Sequence, residues 1–146
     1  MQTNTQESLT DLSRQGAALA FFTAYDDLDT ARMINLAAPD ATVHFLPLGK
    51  DGVGTFWEFG KAVWDSLIDC FPDISNTVDS LSAEGNTVTA NVSIGGTQAK
   101  EFMGIASKGF RFDSDHVFVF TFNEADQIQS LTINWDGASF AQQLGA

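Results

Sequence analysis

A chain of 146 residues falls within the size of one domain, and folding at that length buries roughly 70% of the unfolded surface, enough for one core. Seven Lys plus Arg against 19 Asp plus Glu give a formal charge of −12, which repels phosphate backbones and anionic membranes and so excludes nucleic acid as a partner class. The single Cys70 excludes an internal disulfide, and with two His it leaves too few ligands for a structural zinc site.

With 13 Phe and 3 Trp against 1 Tyr, the aromatics lack polar handles, which favours a large apolar interior or pocket. No stretch approaches the ~18 apolar residues of a membrane span, and the polar start MQTNTQESLT does not read as a leader. The expectation is a soluble, cytoplasmic protein of one domain over residues 1–146, without membrane contact.

From Ser8 or Thr10, either able to cap a helix, to Tyr25, the residues Leu9, Leu12, Leu19 and Phe22 recur at helical spacing. Asp29 caps a short second helix to Leu36, stopped by Pro39-Asp40. Ala41 to Leu46 alternates as a short strand with His44 on its more polar face. The LGKDGVG loop lacks phosphate-loop spacing and reads as a turn or rim. Thr55 to Phe71 carries Phe56, Phe59, Val63, Leu67 and Cys70 as a broad apolar stripe, widened by Trp57, Trp64 and Ile68, so this helix sits between sheet and pocket.

The pattern then turns to β. Val78–Ala83, the turn Glu84-Gly85-Asn86 and the alternation Val88, Ala90, Val92, Ile94 predict a hairpin, with Gly95-Gly96 as a bulge or bend. In Gly109 to Phe122, Phe110, Phe112, Ser114, His116, Phe118, Phe120 and Phe122 share one face. So apolar a strand either fills a core or walls a cavity, with His116 among the rings. A turn at Asn123–Asp126, a last strand from Gln127 to Trp135 and a closing helix from Asp136 to Leu144 follow. Helices first and strands afterwards predict an α+β domain, a curved antiparallel sheet wrapped around helices.

Several strings in this order resemble the SnoaL-like polyketide cyclase branch of the nuclear transport factor 2-like superfamily. Gly96-Thr97, Glu101-Phe102, Gly104-Ile105 and Gly109 resemble its G-T-x-x-x-E-F-x-G-I-x-x-x-G string, and Phe71-Pro72-Asp73 resembles the F-P-D ending its third helix. Weaker echoes are Phe22–Tyr25, Asp40-Ala41 and Trp135-Asp136-Gly137. The resemblance covers nearly the whole chain. It implies a cone-shaped barrel, nuclear transport factor 2-like or cystatin-like, with a deep apolar pocket for a small hydrophobic molecule and homodimerisation through the outer sheet face. It also implies acid/base chemistry without a cofactor, of cyclase, isomerase or hydratase type, although relatives with no known activity exist. The cyclases keep an acidic Asp in the penultimate strand, and that position falls on Phe118, which cannot transfer a proton.

His116 is then the candidate catalytic base, since burial among rings disfavours its charged form. The other reading is a core histidine hydrogen-bonded to a neighbouring element. Tyr25, His44, Phe56, Trp57, Phe71, Phe102, Phe118, Asn134 and Trp135 are the candidate ligand contacts, though an aromatic stripe can equally be core. Asp136 is read chiefly as the cap of the closing helix and Glu101 as a surface residue. No metal-ligand spacing joins the two histidines. Two functions stand side by side: a proton-transfer enzyme acting on a hydrophobic carbonyl compound, and a carrier or scaffold without chemistry.

Overall fold

The computed structural model describes the backbone of residues 5–146 and the side chains of residues 12–146. Helix α1 spans Thr5–Asp26 and already runs through Ser8 and Thr10, the two expected caps. Their side chains, and that of Leu9, lie outside the described residues. The buried face of α1 is Ala18, Phe21, Phe22 and Tyr25, whereas Leu12 is 64% exposed and Leu19 is exposed too. The expected stripe of Leu12 and Leu19 is thus rotated away from the core, because the bulky rings take the inward positions.

Helix α2 (Thr30–Ile34) starts as expected, with the Asp29 carboxylate accepting the Arg32 backbone N–H at 3.1 Å. Strand β1 (Ala37–Phe45) begins before the predicted start and contains Pro39 and Asp40. A shift in its pairing between Ala37 and Thr42 absorbs the proline, which has no N–H to give a ladder. A 3₁₀ segment, Leu46–Gly52, leads to a short strand β2 (Val53–Thr55), which the loop reading did not foresee. A π-helical turn (Phe56–Gly60), its first turn capped by the Thr55 hydroxyl at Glu58, precedes helix α3 (Lys61–Cys70).

Strands β3 (Ser75–Glu84), β4 (Thr87–Thr97), β5 (Arg111–Phe122) and β6 (Ile128–Asn134) follow, then helix α4 (Gly137–Gln143). Gly85, at φ +61°, makes the β3–β4 turn that glycine allows without strain. Of the bulge or bend expected at Gly95-Gly96, the bulge is absent: both pair in unbroken register with Asp113 and Phe112. Their glycine character serves close approach instead. A Cβ on Gly96 would stand 3.2 Å from Phe71 Cβ and 3.3 Å from Ile74 Cα.

The six strands form one curved sheet in the order β2-β1-β6-β5-β4-β3. Two points of the expectation change. The sheet is not a closed barrel, since β2 and β3 are separate edges, and it is not wholly antiparallel, since β1 lies parallel to β6. The helices cover its inner face, with α1 across β3 and β4. There Phe112, His116, Phe118, Phe120 and Phe122 of β5 are buried together with Val88, Ala90, Val92 and Ile94 of β4. Phe110, beyond the strand's start, is exposed. Each fully buried ring contributes about 1.5–3 kcal/mol by area transfer, so this face anchors the fold. On the outer face Val117 remains exposed and Val119 half-buried, so the second half of that face is less covered than its composition suggests. Among the described residues no helix is long and apolar enough to cross a membrane.

Candidate functional site

Between the inner sheet face, α3, α4 and the β4–β5 loop lies a cavity of about 570 Å³. Its walls are almost wholly apolar. Phe112, His116 and Phe118 come from β5, Ile94 from β4, Phe45 from β1, and Trp135 from the end of β6. Trp64 and Leu67 of α3, Phe140 of α4, and Phe102, Met103 and Ile105 of the β4–β5 loop complete it, with Tyr25 from the last turn of α1.

Period-2 alternation explains why β5 delivers His116 here, because it shares the inward face with the buried Phe112, Phe118 and Phe120 while Asp113, Asp115 and Val117 point out. His116 is buried, and its Nδ1 lies 3.2 Å from the Ser114 carbonyl. A carbonyl only accepts, so Nδ1 carries the proton of the neutral ring and Nε2 keeps the lone pair. The imidazole stacks on Trp135, centroids 5.3 Å apart and planes 22° apart, with Phe118 at 6.2 Å. Burial pushes its pKa from 6.5 down to about 4, partly offset by the Ser114 carbonyl and the charge of Asp115. His116 is therefore neutral at pH 7.

Tyr25 is the second polar group in the wall. Burial, reinforced by the neighbouring Asp26, raises its hydroxyl well above the usual tyrosine range. It is thus always protonated near neutrality, and no described residue hydrogen-bonds to its hydroxyl. Asn134 and Asp136 border the cavity where β6 meets α4, and Asp136 Oδ1 caps that helix at 2.9 Å from the Ser139 N–H. Among the described residues no cluster of three or more His, Cys, Asp or Glu converges as a metal site would.

The structure thus brings His116, Tyr25, Phe102, Phe118, Asn134 and Trp135 to one cavity, and separates the other expected contacts from it. His44 lies on the outer side of β1, where its Nε2 donates to the Gly49 carbonyl at 3.3 Å; the odd-even pattern of the strand turns it away. Phe56 is core, edge-on to Phe21 and tilted against Trp64. Trp57 is 40% exposed and donates Nε1 to the carbonyls of Ala37 and Ala38, at 3.3 and 3.1 Å. Phe71 stands behind the wall, supporting Phe102 and Phe112 at 5.4 and 5.2 Å. Glu101 is exposed, and Lys100 pairs with Asp69 instead.

Phe45, Trp64, Met103 and Phe140 were not foreseen as cavity residues. One signal was present for Trp64: Gly60, one turn earlier on the same face, leaves space where a Cβ would come within 2.9 Å of the indole.

Compared with known proteins, residues 16–144 match the model of the SnoaL-like polyketide cyclase family. The chain belongs to that family. Among solved structures, a candidate SnoaL-like polyketide cyclase from Jannaschia sp. CCS1 superposes with TM-score 0.83 at 18% identity, over 93% of this chain and 94% of that one. IdmH of Streptomyces antibioticus, a candidate polyketide cyclase, gives 0.77 at 24% identity, over 91% and 99%. A protein of Catenulispora acidiphila with a ketosteroid isomerase-like fold gives 0.73 at 18% identity, over 88% and 92%. Identities this low establish the fold this SnoaL-like chain shares with them. No curated protein matches it in sequence.

Proposed function

We propose that this SnoaL-like protein is a cofactor-independent acid/base enzyme of cyclase, isomerase or hydratase type, acting on a small hydrophobic carbonyl compound held in the cavity. The observation that carries this reading is the neutral imidazole of His116, fixed through Nδ1 with its Nε2 lone pair unused, in an otherwise apolar cavity. Nε2 takes a proton from the carbon next to the substrate carbonyl, and the electron pair moves onto the carbonyl oxygen. The Tyr25 hydroxyl donates to that developing oxyanion. In a cyclisation the enolate carbon attacks a second carbonyl of the same molecule, a C–C bond forms, and the new alkoxide recovers the proton from the imidazolium. Burial makes His116 a weak base in the empty cavity, and the negative charge formed beside it in the reaction raises its proton affinity.

The test is deuterium exchange at the C2 methylene of 1-tetralone, whose uncatalysed exchange near neutrality is slow, followed by proton NMR in heavy water. Wild-type protein is expected to accelerate exchange, and His116→Gln to lose about 100-fold or more of that acceleration. No acceleration by the wild type, or equal acceleration by a folded His116→Gln, overturns the assignment.

Phe118 favours a second reading, a non-catalytic binding protein or dimeric scaffold, because it occupies the position of the family's acid. That reading expects a neutral dye such as Nile red to bind without any exchange activity. Under either reading the proposal includes a homodimer formed through the outer sheet face, supported by the exposed Val117 on β5, and a soluble, cytoplasmic protein, the charge of −12 supporting the solubility alone. Light scattering on the purified chain checks the dimer.

A further inference from the structure

We propose that Trp135 is the positioning residue for His116: its indole face holds the imidazole plane so that Nε2 serves the cavity, and it stabilises the ring once that ring has taken up a proton. The inference rests on the reading of His116 as the base.

The geometry has two parts. The Ser114 carbonyl fixes one edge of the imidazole, at 3.2 Å from Nδ1, but one hydrogen bond leaves the ring free to rock about it. The stack on Trp135, at 5.3 Å and 22°, fixes the plane. Trp135 is itself held, with Phe45 edge-on at 6.5 Å and Asp136, the cap of α4, directly after it in the chain. It lines the same cavity as His116.

The surroundings of the ring explain why this contact matters. On β5, Asp113 and Asp115 alternate with His116 onto the opposite, exposed face. From β4 the paired residue is Val92, which is apolar. Past β6 the nearest carboxylate in sequence is Asp136, engaged by the Ser139 N–H. From α1 come the neutral Tyr25 and Asp26, which accepts the Asn76 N–H at 2.8 Å. The wall residues of α3 and the β4–β5 loop carry no charge, and neither does any residue of α4. Among the described residues no carboxylate hydrogen-bonds to His116, and the charge of Asp115 acts on it from the opposite face of the strand. An imidazolium formed here has the indole as its stacked partner within the cavity, and a cation over a Trp ring is the strongest of the cation–π contacts.

Proton and nitrogen NMR of the full chain, ¹⁵N-labelled at histidine, tests this across pH, with His116→Gln to assign the signal. In Trp135→Leu the His116 titration midpoint is expected to fall by about half a unit to one unit, with both neutral tautomers populated where the wild type shows Nδ1–H alone. Trp135→Phe is expected to shift it by less and to keep the single tautomer, and it carries the test if the Leu variant does not fold. A midpoint at or above the wild-type value in folded variants, or an unchanged tautomer in Trp135→Leu, overturns the proposal. These readouts need no turnover, so a failure of the exchange assay sinks the catalytic role of His116 without touching the coupling to Trp135.

Discussion

Phe118 stands two residues beyond His116 on the inward face of β5, with ring centroids 6.2 Å apart. At the position where the family resemblance leads one to expect an acid stands a ring that packs edge-on against Phe22 at 4.9 Å, with the centroids of Phe21 and Phe120 at 6.2 Å each. Phe118→Asp deletes that packing and buries a carboxyl among phenylalanines. The expected outcome is a loss of about 3–5 kcal/mol in urea unfolding, and no gain of exchange activity. A variant as stable as the parent contradicts the packing account.

The pH dependence of stability follows from His116. Its folded pKa, about 4, lies below the unfolded value of 6.5, so between these values the unfolded chain binds more protons and stability rises with pH. Its contribution is present above about 6.5 and is lost as pH falls towards 4, amounting to about 3 kcal/mol over the whole window. Asp73 acts in a separate, lower window. The Thr97 backbone N–H, at 2.7 Å, holds its pKa below the usual carboxylate value, so its contribution goes only as pH falls below about 4. Urea midpoints measured from pH 7.5 to 4 should decline in wild type and flatten in His116→Gln. Equal slopes in the two proteins refute the assignment.

The inner face of β5, the Glu84–Asn86 hairpin and the caps Asp29 and Asp136 were all legible, because period-2 alternation and short-range capping are written in consecutive residues. The cavity wall was legible only in part. Phe56, Trp57 and Phe71 have the right residue types, yet which way each points depends on a neighbouring strand or helix that the local pattern does not encode, whereas the alternation of β1 already set His44 on the face away from the cavity. The Pro39 irregularity shows the same limit: proline reads as a stop, whereas the β1–β6 pairing accommodates it by slipping register. Closure also escaped the sequence, since whether β2 and β3 meet is decided by strand length and twist across the whole sheet.

Arg14 ties α1 to both hairpin ends. Nε donates to Asp126 at 3.0 Å, and the guanidinium nitrogens reach the carbonyls of Gly85 at 2.9 Å and Asn123 at 3.5 Å. Only 13% of its side chain is exposed, so the ion pair is better shielded than the surface pairs. Arg14→Ala leaves these acceptors without their donor and should cost about 1–3 kcal/mol in urea unfolding. Amide exchange in the β3–β4 and β5–β6 turns should rise with it. Arg14→Lys, a point charge without the fork, should recover less than half of the loss. An unchanged midpoint in Arg14→Ala counts against the clamp.

Trp57 separates structure from site. Its Nε1 donates to the Ala37 and Ala38 carbonyls, at the start of the irregular part of β1. Trp57→Phe keeps the ring and removes the donor, so the expected loss is about 1–2 kcal/mol, with protection from hydrogen exchange reduced at the start of β1. Because Trp57 is outside the cavity wall, Nile red affinity should stay at the wild-type value, whereas Trp135→Leu should weaken it several-fold through the wall itself. Fluorescence titration of the two variants beside the parent decides the matter: a matching fall in both places Trp57 at the ligand, and a fall in Trp135→Leu alone confirms it as the staple between the π-helical turn and β1.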